Sequence, residues 1–219
     1  IEGQKYLSII RSKSPDIYNT INKFGISNDN IGSPIKYKYE DIFLSPTTLR
    51  YIKVVSDLKQ LFGEQIGDDI VEIGGGYGGQ LVQIDSFFNI KNYYIYDLPL
   101  VNKLTSKYVS LSKPRCDYYS CTIDSIQNKL YDLAISNYAF SELPRVIQLQ
   151  YVEIFKNSKK GYLTMNSGNG GIYDEGKLTL NELKSILPNI SVFEENPKTY
   201  KGNYIIVWGN NNDLIDWYE

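Results

Sequence analysis

The 219 residues predict an α/β fold: a mostly parallel sheet, its last strand reversed, with a helical cover at the N-terminus. Three observations carry this. From Asp69 onward, short apolar runs alternate with amphipathic segments, the pattern of a parallel sheet covered on both faces. The first run leads into VEIGGGYGGQ, Val71 to Gln80, which puts five glycines into six positions. The last two runs, ISVFEE and NYIIVWG, flank PKTYKG and read as an antiparallel pair that closes the sheet.

The elements follow in order. Residues 4–11 read as a short helix, and Ile35 to Pro46 as a tyrosine-rich, turn-terminated segment. Ser45 before Pro46 is a helix start, serine as cap and proline in the first turn. Leu49, Ile52, Val55, Leu58 and Leu61 recur at helical spacing up to Phe62, predicting one amphipathic face, with Gly63 at the end. DIVEI, Asp69 to Ile73, is the first buried strand, and Gln80 to Phe88 a helix. Asn92 to Leu98 is the second strand and Pro99 to Leu111 the next helix. Asp117 to Ile123 and Tyr131 to Ser136 are strands three and four. Pro144 to Phe155 is helical, and Gly161 to Asn166 is strand five. Thr179 with Glu182 makes a capping box before Leu183, Ile186 and Leu187.

Composition narrows the function. The apolar fraction is 42%, and the net charge of −2 gives no global basic field for nucleic acid or anionic lipid. No apolar run approaches the ~20 residues of a membrane span. No signal peptide is legible, so a cytoplasmic location with no membrane partner is expected. Ile1 stands where an initiator methionine would, which leaves open a longer, multidomain chain. There is no histidine, and the two cysteines, Cys116 and Cys121, make neither a disulfide framework nor a zinc site. No metal is predicted. Any general base must be a carboxylate, tyrosine, lysine, cysteine or water. The 20 tyrosines would suit sugar stacking, but ordinary packing is the simpler reading.

Glycine costs roughly 0.5–1 kcal/mol relative to alanine inside a regular element. A cluster at the carboxyl end of the first strand therefore points to a ligand lying against the backbone, where open α/β sheets bind ligands. Two frames compete. Gly74, Gly76 and Gly79 fit G-x-G-x-x-G, the dinucleotide fingerprint, with Asp97 placed to hold a ribose. That frame predicts a nicotinamide-dependent oxidoreductase. Glu72, Gly74, Gly76 and Gly78 give E-x-G-x-G-x-G, which resembles motif I of the class I S-adenosylmethionine-dependent methyltransferases. The second frame is favoured by the reversed C-terminal pair and by the polar, aromatic SNYAFSELP after strand four.

The resemblance implies a Rossmann-like class I methyltransferase sheet over residues 69–219. It makes residues 1–68 a helical cover on the substrate side. SPTTLRY, VEIGGGYGGQ, YDLP and SNYAFSELP together are similar to a group of bacterial and viral sugar O-methyltransferases, over most of the chain. This implies S-adenosylmethionine as cofactor and a small-molecule sugar as substrate, either a nucleotide sugar or a glycan. The N/D-P-P-Y/F pattern of DNA amino-methylating enzymes is not matched by Ser136–Asn137–Tyr138–Ala139, which speaks against nucleic acid as partner. A non-catalytic nucleotide-binding domain of a larger protein remains as a third reading.

The resemblance assigns residues to roles, each with a plainer competitor. Glu72 would support the amino-acid end of the cofactor, or pair with a lysine. Gly74, Gly76 and Gly78 would pass beneath the cofactor, or only turn the chain. Asp97, with Leu98 beside it, would hold the ribose hydroxyls, or cap the helix at Pro99. Asp124 would hold the adenine amino group, or cap a turn with Ser125. Asn137 would line the methyl-donor end. Arg50 and Tyr51 would close the cofactor site from the preceding helix. Asn166 and Asn169, in the glycine-rich loop after strand five, would grip a polar substrate. Tyr138 and Glu142 are the catalytic candidates. Glu142 is the first choice as base, with Phe140 and Leu143 as expected apolar neighbours; otherwise it stabilises the helix beginning near Pro144.

Overall fold

A computed structural model describes residues 2–167, 176–187 and 189–210. The cover begins with α1 (Glu2–Lys13), α2 (Pro15–Phe24) and α3 (Ile26–Asp29). A small hairpin follows, β1 (Tyr37–Tyr39) and β2 (Ile42–Leu44), then α4 (Pro46–Phe62). Ser45 caps α4 by accepting the Thr48 amide at 3.1 Å. The same SPTT turn is tied to α3. Asp29 Oδ2 accepts the Ser45 amide at 2.6 Å, and its Oδ1 accepts the Ser45 and Thr48 hydroxyls at 2.8 and 2.6 Å.

The strand and helix alternation then runs β3 (Asp69–Ile73), α5 (Gly79–Phe87), β4 (Asn92–Tyr96), α6 (Pro99–Ser112) and β5 (Asp117–Cys121). After a 3₁₀ turn at Ile123–Ser125 come β6 (Tyr131–Asn137), α7 (Ala139–Glu142), α8 (Arg145–Lys156) and β7 (Ser158–Met165). The chain closes with α9 (Leu180–Ile186), β8 (Ser191–Glu194) and β9 (Tyr204–Trp208). The seven strands lie in the order β5-β4-β3-β6-β7-β9-β8. β9 runs antiparallel to both its neighbours, and the other pairings are parallel. The order reverses between β3 and β6, so the crevice at their carboxyl ends is the switch point where such sheets bind ligands.

Two apolar cores sandwich the sheet. One joins Tyr6, Leu7, Ile10 and Ile17 of the cover to Ile70, Leu133 and Tyr162 of the sheet. The other packs Val71, Ile73 and Leu163 against Phe155 of α8 and Leu183 of α9. Several expectations are corrected. α1 starts at Glu2 rather than residue 4, and α2 is an additional helix. Strand three stops at Cys121, because the Thr122–Ser125 capping box turns the chain. Strand five begins at Ser158 rather than Gly161.

The largest correction is α4, whose buried residues surround it rather than forming one face. Lys53, Ser56 and Asp57 are buried along with its apolar residues. α4 is wedged between α1 and the sheet, so its polar residues need internal partners. Lys53 meets Asp57 at 2.6 Å, and the Tyr162 hydroxyl donates to the same Asp57 oxygen at 2.6 Å.

Candidate active site at the carboxyl ends of the strands

Strand alternation places Ile70 and Glu72 on the cover side of β3 and Val71 and Ile73 on the other. Glu72 is only 2% exposed. Its carboxylate accepts the Tyr93 hydroxyl at 3.0 Å, from the neighbouring strand. The alternative of a lysine partner does not occur among the described residues. Burial pushes the Glu72 carboxyl up to about 7. The nearby Asp97 charge adds to this, while the Tyr93 bond and Arg50 oppose it. The site therefore holds a buried acid with no bonded cation.

The glycine loop begins where β3 ends. Gly74 has φ +75, and a Cβ on it would fall 2.1 Å from the Ala139 Cβ. Only glycine permits both the backbone conformation and that contact with α7. Gly76, with φ +56, has no atom within 4 Å of its would-be Cβ. Its backbone thus borders open space. Gly78, at φ +94, is the N-cap of α5.

Asp97 is bonded to this loop. Its Oδ2 accepts the Gly76 amide at 2.9 Å and its Oδ1 the Leu98 amide at 2.7 Å. The N-cap of α6 is Leu98, without a side-chain cap, so Asp97 faces the loop instead of capping the helix. Leu98 is 70% exposed at the rim. Asp124 lies exposed on the 3₁₀ turn, which is held by Thr122 and Ser125 and not by Asp124 itself.

Asn137 ends β6 on the cover-side face. Its Nδ2 donates to Gln80 Oε1 at 3.4 Å, and its Oδ1 accepts the Thr164 hydroxyl at 3.4 Å. Tyr138 follows at φ +67, a left-handed conformation unusual for a tyrosine. Its hydroxyl donates to Glu195, a carboxylate that also accepts the Thr199 amide at 2.9 Å and the Thr199 hydroxyl at 2.6 Å. Burial, then the Glu195 bond, pushes the Tyr138 phenol upward. A phenol held in this way is a donor at neutral pH rather than a proton acceptor.

The Arg50 guanidinium lies 5.4 Å from the Tyr51 ring centre and 5.9 Å from that of Tyr138. It bridges α4 and the end of β6. Tyr51 is buried, with its ring edge-on to Tyr77 of the glycine loop at 6.1 Å. At the end of α7, Glu142 is exposed, so the expected apolar surroundings do not form. Phe140 instead points into the core, fully buried. Glu142 Oε1 accepts the Asn166 side-chain amide at 3.0 Å, and the Asn166 backbone amide donates to Ser141 Oγ at 3.0 Å. Asn169 lies outside the described residues. Among the described residues, no group of three Cys, Asp or Glu is placed to hold a metal ion, and no helix is long and apolar enough to cross a membrane.

No family model matches the chain, and no curated protein matches it. Solved structures do. An S-adenosylmethionine-dependent methyltransferase from Clostridium acetobutylicum aligns at TM-score 0.52 and 11% identity, over 72% of this chain and 88% of that one. The fold is that of the class I methyltransferases. A mitomycin 7-O-methyltransferase aligns at TM-score 0.51 and 11% identity, over 74% of this chain. This chain spans 56% of that protein's length. A Haemonchus contortus phosphoethanolamine N-methyltransferase in complex with S-adenosyl-L-methionine aligns at TM-score 0.51 and 17% identity, over 83% of this chain and 46% of that one.

Four residues were missed by sequence reasoning. Tyr93 binds Glu72 and sits on the cover-side face by simple alternation, so it was findable. Thr105 donates its hydroxyl to the Gly76 carbonyl, and Gln80 reaches both Asn137 and the Tyr51 carbonyl. Glu195 lies 57 positions from Tyr138, and no local pattern announces it.

Proposed function

We propose that the chain is an S-adenosylmethionine-dependent methyltransferase acting on a hydroxyl of a small polar acceptor, with a sugar as the acceptor class. The observation that carries the reading is the set Glu72, Gly76 and Asp97. It presents a buried acid with no bonded cation, a bare backbone facing open space, and a second acid bonded to that backbone. These residues fit S-adenosylmethionine. Glu72 would meet its ammonium group, the glycine loop would pass beneath its chain, and Asp97 would have lone pairs left for two ribose hydroxyls. The cofactor, when bound, supplies a methyl group on a positively charged sulfur. The nicotinamide alternative is not favoured by the fold.

This chain's own residues then orient the acceptor and receive its proton. Glu142 is the proposed base, since it is exposed, ionisable and held by Asn166. Asn137 and Asn166 are proposed to line the acceptor side, with Arg50 and Tyr51 closing the cofactor's amino-acid end. Asp124 and Leu98 are proposed at the adenine end. Asn169 is kept as a substrate candidate on the sequence resemblance alone. The sugar class rests on the SPTTLRY and SNYAFSELP resemblance.

A melting assay tests the cofactor. A ligand at a hundred times its dissociation constant stabilises by ~2.7 kcal/mol. S-adenosylhomocysteine is expected to raise the melting temperature and NAD or NADP to leave it unchanged; the reverse pattern would refute the reading. Turnover is tested separately, by release of S-adenosylhomocysteine across a panel of nucleotide sugars. Binding without turnover on any of them would favour a non-catalytic domain.

A further inference from the structure

A cavity of about 460 Å³ opens between the segment after α3, the start of α4 and the outer face of α6. It is not the cleft described above: Glu72, Gly74, Gly76 and Asp97 are not part of its lining. The two share one wall, the ring of Tyr77 in the glycine loop. Along α6, Leu104, Lys107, Tyr108 and Leu111 face the cavity at i, i+3, i+4 and i+7, one continuous stripe. Leu104 and Leu111 are 55% and 57% exposed, although their face borders a concave space. Ile31 and Pro34 complete the apolar wall.

Of the uncharged polar side chains in the lining, Asn28, Ser45, Tyr77 and Tyr108 are already engaged, and only the exposed Thr47 hydroxyl has no hydrogen bond among the described residues. Asn28 donates to Thr48 Oγ1 at 2.6 Å and to the Tyr77 hydroxyl at 3.2 Å, while its Oδ1 accepts the Tyr108 hydroxyl. Ser45 is bound to Asp29. The floor thus has little to offer a polyol, whose hydroxyls would lose water without replacement. The stripe carries one charge, Lys107, and no ion pair is found for it among the described residues.

We propose that this cavity is a second ligand site, separate from the cofactor cleft, for a small amphiphilic anion. Its occupant has an aromatic or acyl body against Leu104, Tyr108 and Leu111, and one carboxylate or sulfonate group at Lys107. The volume lies within the ~300–1,000 Å³ of small-molecule sites, and an apolar wall with one convergent charge selects an amphiphile over a sugar.

The probe is 8-anilinonaphthalene-1-sulfonate, titrated by fluorescence into the intact chain, with decanoate as competitor. One saturable site per chain is expected, displaced by decanoate and retained in saturating S-adenosylhomocysteine. Leu104→Asp should weaken binding by at least about tenfold, because a charge then lines the apolar wall. Lys107→Glu should weaken it several-fold, through like-charge repulsion. Both positions are on the outer stripe, so melting temperature and the S-adenosylhomocysteine response should stay as in the unmodified chain. Non-saturable binding, displacement of the probe by S-adenosylhomocysteine, or a Leu104→Asp variant that binds normally overturns the proposal. If S-adenosylhomocysteine does not bind at all, the methyltransferase reading fails, and the two α6 variants still decide this site.

Discussion

Glu72 is a carboxyl whose folded value, about 7, lies above the ordinary carboxylate range. Between that range and pH 7 the folded chain keeps a proton that the unfolded chain has released. Stability from this group is therefore lost as pH rises through the window, by on the order of 3 kcal/mol at most. Glu72→Gln removes the penalty. The variant should resist urea better than the unmodified chain at pH 8, with the gap shrinking toward pH 4. The same substitution should abolish the melting response to S-adenosylhomocysteine, because the ammonium group loses its counter-charge. A stability gap that does not change with pH would show that folding does not raise the Glu72 carboxyl above the ordinary carboxylate range. Gly76→Asp tests the neighbouring contact: a side chain and a charge enter the open space, and the ligand response should vanish while the fold persists. Glu142→Gln leaves the cofactor response intact and should lower turnover by about two to four orders of magnitude, the usual worth of a general base. Near-normal turnover at saturating acceptor would remove Glu142 from the proton path.

At the scale of elements, what was legible had a local cause. Ser45 and Pro46 announced the start of α4, and Thr179 with Glu182 that of α9, because caps act within one turn. The glycines disclosed the loop, because left-handed turns and a 2.1 Å approach to Ala139 demand them. What was illegible depended on distant partners. α4 read as amphipathic because Lys53 and Asp57 look like a solvated pair at i, i+4. Only their burial against Tyr162 shows otherwise. Glu195 behind Tyr138 is hidden for the same reason. The α4 pair yields a prediction. Lys53→Met leaves Asp57 buried without its cation and should cost about 3–5 kcal/mol. Adding Asp57→Leu to Lys53→Met should restore much of that loss, since a buried pair is often replaceable by well-packed apolar groups. Urea unfolding of the two variants checks it. A double variant no more stable than the single one would refute the replacement, because apolar packing would then not make up for the pair at this site.

The whole molecule poses the question of where its cooperative unit ends. A division at residue 68 makes the sheet region a candidate for independent folding. The packing argues against this. One core runs from Tyr6, Leu7 and Ile10 of α1 through Leu49, Ile52 and Val55 of α4 to Ile70, Leu133, Tyr162 and Val207 of the sheet. Without the cover, α5 and α6, whose Leu81, Ile84, Tyr108 and Val109 belong to the same core, would be left on the cover-side face of the sheet without the α1 and α4 side chains packed beside them. Exposing apolar surface costs roughly 25 cal/mol per Å², so losing even half of one such face exceeds the few kcal/mol by which domains are stable. The full chain should therefore unfold in urea as one transition, with far-ultraviolet circular dichroism and tryptophan fluorescence coincident. The fluorescence is read in a Trp217→Phe background, where Trp208 is the remaining tryptophan; it lies in the opposite core, beside Phe155 at 5.9 Å, and reports on that core. A chain restricted to residues 69–219 should show no cooperative transition and bind hydrophobic dyes throughout. Two separated transitions in the full chain, or a cooperative one in the fragment, would establish the cover as an independent unit, seated on a sheet that folds without it.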